Sequence, residues 1–307
     1  MRFGSIATCV AVAPLLVAAA QPVRLQPSSP WIVNYADESC RLVRTFGDGK
    51  DKTVLEFESE APGQMDLLVV GSPLERDDGS DKVPGIFLPV GGKPLEGEGA
   101  KSTASGAPAI LWSRIPLLPD VLVDSLEKQA KETGRLSRSG LRPPATDPSQ
   151  AKTIQAARHE FASKATELEI GSRRPVILET GPLGDAIKVF DQCGRDSLRD
   201  WGVDPDIEDK IVRPVWAKDP SRWFSADDYP PQMMRAGEQS EVKVRLLVDA
   251  AGRPTKCTSL THFTVVEFNQ VVCDKFMRRA RFEPAELADE TKVPSYYVNR
   301  VAFRIAR

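Results

Sequence analysis

Four cysteines, Cys40, Cys193, Cys257 and Cys273, carry the clearest chemical prospect in this chain. A fifth, Cys9, falls within an apolar run near the start. An even number of thiols in an exported protein points to disulfides, and four thiols allow three connectivities. Zinc would want clustered ligands at a spacing such as Cys-x-x-Cys, and no two of the four stand so close. No metal site is therefore expected.

The other reactive types offer less. His159-Glu160 opens like the helix of a zinc protease, but Ser163 occupies the place of the second histidine. His262, beside Phe263, reads as a loop or cap residue. No Gly-x-Ser-x-Gly nucleophile turn occurs. Gly99-Ala100-Lys101-Ser102 has alanine where a phosphate loop needs glycine, and no helix follows. Arg278-Arg279 reads as the solvated end of a helix, where cations complement the dipole. With no constellation for catalysis, no cofactor is expected and the chain is not read as an enzyme.

Composition narrows the class. The chain has 307 residues, room for roughly two domains. Hydrophobic residues make up 41% and charged residues 27%, which supports a packed core over disorder. The formal net charge of −2 argues against a nucleic-acid partner. Arg2, the apolar run Ile6–Ala20 and the small residues Ala18–Ala20 have the pattern of a signal peptide cleaved before Gln21. The run is short for a bilayer span and is interrupted by Pro14, so residues 1–20 are expected to leave the mature protein.

The elements that must position the cysteines follow from periodicity. Trp31–Val33, Cys40–Phe46, Thr53–Phe57, Leu67–Val70, Ile86–Val90 and Ala109–Trp112 are short apolar or alternating runs between turn residues, as in a sheet. Pro89 counts against an inner position for the Ile86 run. Residues 91–106 read as a glycine-rich loop, and 125–150 as a short exposed helix followed by an ordered loop or linker. Ala151–Lys164 suggests a further helix and Pro175–Thr180 a strand. Leu183, Ile187, Phe190, Leu198 and Trp201 draw one apolar helix face, closed by Gly202 and Pro205. Cys193 shares that face with Phe190, which makes Cys40–Cys193 a reasonable bridge.

The fold class expected is α+β. A strand-rich domain with helices spans 21–205, a connector spans 206–228, and a small module fills 229–307. In the module, Val242, Val244, Leu246 and Val248 alternate with Glu241, Lys243, Arg245 and Leu247 as a strand with one buried face. Asp249–Gly252 makes a turn, and Lys256–Leu260 continues as a second strand. Val265, Phe268, Val272 and Phe276 form a helical stripe, and Tyr296–Ile305 alternates as a closing strand. A bridge from Cys257 to Cys273 would pin that helix to the antiparallel three-stranded sheet beneath it.

Taken in order, Tyr229-Pro230, Gly237, the Val242–Val248 strand, Asp249 with Gly252, Phe282 with Pro284-Ala285, and the Val301–Phe303 strand resemble the C-terminal domain of the TonB family of energy transducers. The resemblance covers about a quarter of the chain. The pair Cys257 and Cys273 looks like a disulfide-bearing branch of that family, and Ser240 stands where a second glycine is common. The resemblance implies a periplasmic module of a Gram-negative cell that binds a short extended segment of an outer-membrane protein by adding it as a strand. The edge implied is the last strand: Tyr296, Tyr297, Val298, Asn299, Arg300, Val301, Ala302 and Phe303.

A working transducer of the family also needs a membrane anchor and a long proline-rich spacer. This chain offers a signal-like segment and a folded domain, so the reading is a periplasmic protein that uses the module for binding. The alternatives are a membrane-anchored transducer for outer-membrane transport, and a periplasmic hydrolase or cell-wall binder carrying the module as an appendage. An open sheet edge also allows a homodimer. Residues 229–307 hold 13 Lys+Arg against 9 Asp+Glu, so this basic module suits an acidic partner, contact with the acidic remainder or an ordinary solvated surface.

Overall fold

The computed structural model describes residues 21–35, 38–74, 82–102, 105–132, 147–171, 174–260 and 266–305. The signal-like segment 1–20, His262 with Phe263, and Pro143-Pro144 lie outside the described residues.

The N-terminal part is one ten-stranded sheet with helices against it. Its strands are β1 (Val23–Leu25), β2 (Ile32–Tyr35), β3 (Cys40–Phe46), β4 (Thr53–Ser59), β5 (Asp66–Gly71), β6 (Lys82–Leu88), β7 (Leu95–Lys101) and β8 (Pro108–Trp112). Helices α1 (Asp120–Glu132) and α2 (Pro148–Lys164) follow, then β9 (Glu167–Ile170), β10 (Val176–Leu178) and α3 (Gly184–Asp200). The spatial order is β1-β10-β9-β6-β7-β8-β5-β4-β3-β2. Only β1 and β10 run parallel. The chain after β1 reaches the far end of the sheet, where Pro27 bridges Phe46 and the Gly47 amide donates to the Gln26 carbonyl at 2.8 Å. The two ends of the sheet are thereby joined, which covers backbone groups that an open edge would expose.

Alternation sets the inner face. Leu42 and Phe46 of β3, Leu55 and Phe57 of β4, and Leu67 and Val69 of β5 are buried together with Ile187, Phe190 and Cys193 of α3. Cys40 and Cys193 form a disulfide with Cα atoms 6.0 Å apart, so β3 is tied to α3. Gly202, at φ 82°, ends the helix as expected.

Two expectations change here. The glycine-rich segment 91–106 is not a loop: it contains β7, paired to β6 on one side and β8 on the other. The reason is Trp112, whose indole lies across the strand. A Cβ on Gly97 would come within 2.5 Å of Trp112 Nε1, while that nitrogen donates to the Val83 carbonyl at 3.1 Å. The glycine leaves room for a ring, which only the folded sheet reveals. Likewise β6 is an inner strand, because it ends at Leu88, before Pro89 could interrupt its ladder.

The C-terminal part comprises α4 (Pro205–Glu208), β11 (Trp216–Lys218), α5 (Pro231–Ala236), β12 (Ser240–Val248), β13 (Pro254–Ser259), α6 (Val266–Arg279), β14 (Arg281–Glu283), β15 (Ala285–Glu286), β16 (Lys292–Val293) and β17 (Ser295–Phe303). The connector 206–228 is packed onto the module. Here β11 pairs with β14, and Val215 and Trp223 are buried in the same core as Phe276 and Phe282. Burying a tryptophan against three rings, those of Phe276, Phe282 and Tyr297, favours docking over a loose tether.

The three-stranded antiparallel sheet has the order β13-β12-β17. Val242, Val244, Leu246 and Val248 pack against Phe268, Val272 and Phe276 of α6, the predicted faces of strand and helix. The turn at Gly252 has φ 77°, and a Cβ there would stand 2.0 Å from the Phe282 carbonyl oxygen, so glycine is demanded twice over. Cys257 and Cys273 are joined, with Cα atoms 5.5 Å apart.

Candidate docking edge

The candidate edge is β17, which lies against the central strand β12. The two run antiparallel in an unbroken register from Ser240 opposite Phe303 to Val248 opposite Ser295. On the other side β12 bonds β13, and the Leu260 amide donates to the Lys243 carbonyl at 2.8 Å. That bond places the Lys243 backbone groups on the β13 side. Strand geometry then places those of Val244, and of its opposite number Asn299, between β12 and β17. Odd-numbered residues of β17 thus spend their amides and carbonyls on β12, and Tyr296, Val298, Arg300 and Ala302 direct theirs outward. Among the described residues no other strand pairs with that edge.

Side chains divide with the same period of two. Tyr297, Asn299, Val301 and Phe303 stand opposite Leu246, Val244, Val242 and Ser240, on the α6 face. Phe303 lies 4.7 Å from Phe268, and Tyr297 lies 5.0 Å from Phe282, centroid to centroid. Tyr229, whose hydroxyl donates to the Glu238 carbonyl, closes the end of this layer 5.3 Å from Phe303. Of the eight residues of the predicted edge, Tyr297 and Phe303 therefore serve the core through their side chains. The Arg300 amide, one of the outward set, accepts cover from its neighbour by donating to Asn299 Oδ1 at 2.6 Å.

Asp228 secures the lower end of the helix layer. It is buried and accepts from Arg279 and Lys275 at 2.6 and 2.5 Å. Burial pushes its carboxyl up, but the hydrogen bonds from Lys275 and Arg279 prevail and hold it well below the usual carboxylate range.

The opposite face of the sheet is covered by the chain's own N-terminal part. Arg245 is only 2% exposed, and its guanidinium donates to the carbonyls of Glu38 and Glu60 at 3.0 and 3.3 Å and pairs with the Glu38 carboxylate. Lys243 pairs with Glu60 and, at 3.4 Å, with Asp66. Arg300 reaches Glu241 at 3.0 Å and Asp66 at 3.8 Å. Cations of the basic module thus meet acids of the remainder. Tyr296 stands edge-on to Trp201 at 5.7 Å, and Ser295 Oγ donates to Glu208 Oε2 at 2.7 Å. Burial pushes the Glu208 carboxyl up to about 7 against that hydrogen bond, and the charge of Asp209 adds to the rise.

Beside Tyr296, a cavity of about 800 Å³ opens between the two parts. Its walls come from the loop Pro62–Met65, from Ile154 and Arg158 of α2, from Phe190 and Asp191 of α3, and from Glu208. Arg158 and His159 both bond Asp191 Oδ2 at 2.8 Å, so His159, weighed above as a metal ligand, instead helps to hold α2 on α3. Sequence reading missed the cavity, Arg158 and Glu208, because their partners lie up to about ninety residues away and no local pattern marks them. Among the described residues, no group of three or more His, Cys, Asp or Glu side chains could hold a metal. Also among them, no helix is long and apolar enough to cross a membrane.

A basic three-stranded antiparallel sheet, backed by one disulfide-pinned helix and ending on an edge strand, defines a small α+β module. Residues 225–305 match the family model described as Gram-negative bacterial TonB protein C-terminal. The match points to an envelope-related, protein-interacting module, and it leaves the ten-stranded part unassigned. No curated protein matches the chain.

Proposed function

We propose that this protein works in the periplasm of a Gram-negative cell, where its C-terminal module binds an extended segment of a periplasmic or outer-membrane protein by strand addition along β17. The observation that carries this reading is the outward row of backbone groups at Tyr296, Val298, Arg300 and Ala302, unpaired by other strands of the described residues. Main-chain hydrogen bonds along such a row supply affinity with modest demands on sequence. The role is binding and not catalysis, and residues 21–205 serve as the body that holds the module's second face. Ala302 is exposed, so a photo-crosslinking residue placed there reports on the edge in living cells. Crosslinking to an envelope protein, lost in Val298→Pro, is the expected result. An identical crosslinking pattern in wild type and Val298→Pro overturns the reading.

A further inference from the structure

We infer that the interdomain cavity beside Tyr296 is a specificity pocket for the docked strand, and that it takes one long side chain ending in a carbonyl oxygen, glutamate or glutamine. This inference rests on the strand-addition reading above and adds to it which residue of the partner is selected.

The argument turns on Tyr296. Its backbone groups face the open edge, while its side chain lies on the face toward the N-terminal part and lines the cavity. Directly opposed residues of adjacent strands project their side chains to the same face. A peptide residue paired with Tyr296 therefore points its side chain into the cavity, whichever direction the peptide runs. Residues before and after it in the peptide point to the α6 side.

The walls state the chemistry. Met65, Ile154 and Phe190 supply apolar contact for a methylene stem. Arg158 is 12% exposed along its side chain and lines the cavity, and its guanidinium bonds Asp191 through Nη2, which leaves its other donors without an acceptor among the described residues. A buried donor without an acceptor is costly, and an incoming carbonyl oxygen relieves that cost. Of the acids on the walls, Asp191 is engaged by Arg158 Nη2 and His159 Nε2, Asp209 by Arg195 at 2.7 Å and Asp147 by Ser149, while Glu208 accepts from Ser295 and burial disfavours its charge. At about 800 Å³ the space exceeds that of a short side chain and falls within the usual range for ligand pockets.

The test is selection of a displayed library of random nine-residue peptides on the full-length oxidised protein, followed by binding of one selected peptide carrying Glu, Gln, Leu or Ala at its most constrained position. Three variants are compared with wild type. Val298→Pro blocks the edge, Arg158→Met removes the donor, and Ala151→Trp fills the cavity from an exposed wall position without touching the core. The inference expects one position enriched in Glu or Gln, at least tenfold weaker binding with Leu or Ala there, loss of that preference in both Arg158→Met and Ala151→Trp, and loss of all binding in Val298→Pro. If Val298→Pro abolishes binding but Ala151→Trp keeps the Glu or Gln preference, or no such preference exists, the pocket is overturned while strand addition stands. If wild type selects no peptide, or Val298→Pro binds as wild type does, strand addition itself falls and the pocket with it.

Discussion

The Arg245 guanidinium lies 3.5 Å from the centroid of the Trp201 ring, so the central strand of the C-terminal sheet is stacked on the residue that ends α3. Trp201 in turn meets Tyr296, the first residue of β17 whose backbone groups face outward. The seam between the two parts therefore includes a buried cation–π contact as well as ion pairs.

A desolvated contact of this kind couples its two members by about 2 kcal/mol. A double-mutant cycle with Arg245→Met and Trp201→Leu, read by urea unfolding, is expected to return a coupling of that order. A coupling near zero would mean that Arg245 is held by the Glu38 and Glu60 contacts alone.

The backbone parity of β17 makes a prediction that side-chain chemistry does not. Val298 directs its amide outward, so Val298→Pro loses no ladder bond and should cost at most about 1 kcal/mol. Asn299 spends its amide on β12, so Asn299→Pro should cost about 3 kcal/mol or more. Thermal and denaturant unfolding of the pair checks this, and equal losses would contradict the assignment of which residues face out.

Glu208 gives the fold a pH dependence of definite sign. Its folded pKa is raised to about 7 from an ordinary value of 4.5, so between those limits the folded state keeps a proton that the unfolded state has lost. The stabilisation is fully present below about 4.5 and is lost as pH rises through about 7, with a span of roughly 3 kcal/mol. In Glu208→Gln, where Ser295 can still donate, that decline between pH 5 and 8 should flatten. An unchanged profile in urea titrations would exclude Glu208 as its source.

The two disulfides should differ in weight. Cys257–Cys273 closes a separation of 16 residues, worth about 3 kcal/mol in the chain-entropy model, and Cys40–Cys193 closes 153, worth about 5 kcal/mol. Paired Cys→Ala variants measured under oxidising conditions test the order. A larger loss from the short loop would show that native packing, and not loop closure, governs the effect.

Local pattern alone determined much of the C-terminal module. The period of two at Val242–Val248, the helical spacing of Phe268, Val272 and Phe276, and the glycine at 252 need only nearby residues, because one face of each element must be buried and the turn demands positive φ. Cys193 was legible for the same reason, as it shares the inward face of α3 with Phe190. Tertiary structure alone decided the rest. Gly97 belongs to a strand because Trp112 lies over it. The charges of Lys243 and Arg245, which by sequence could face water, a partner or the acidic remainder, are held by Glu38, Glu60 and Asp66. These outcomes depend on which distant surfaces meet, and a contact across nearly two hundred residues leaves no periodic trace in the chain that makes it.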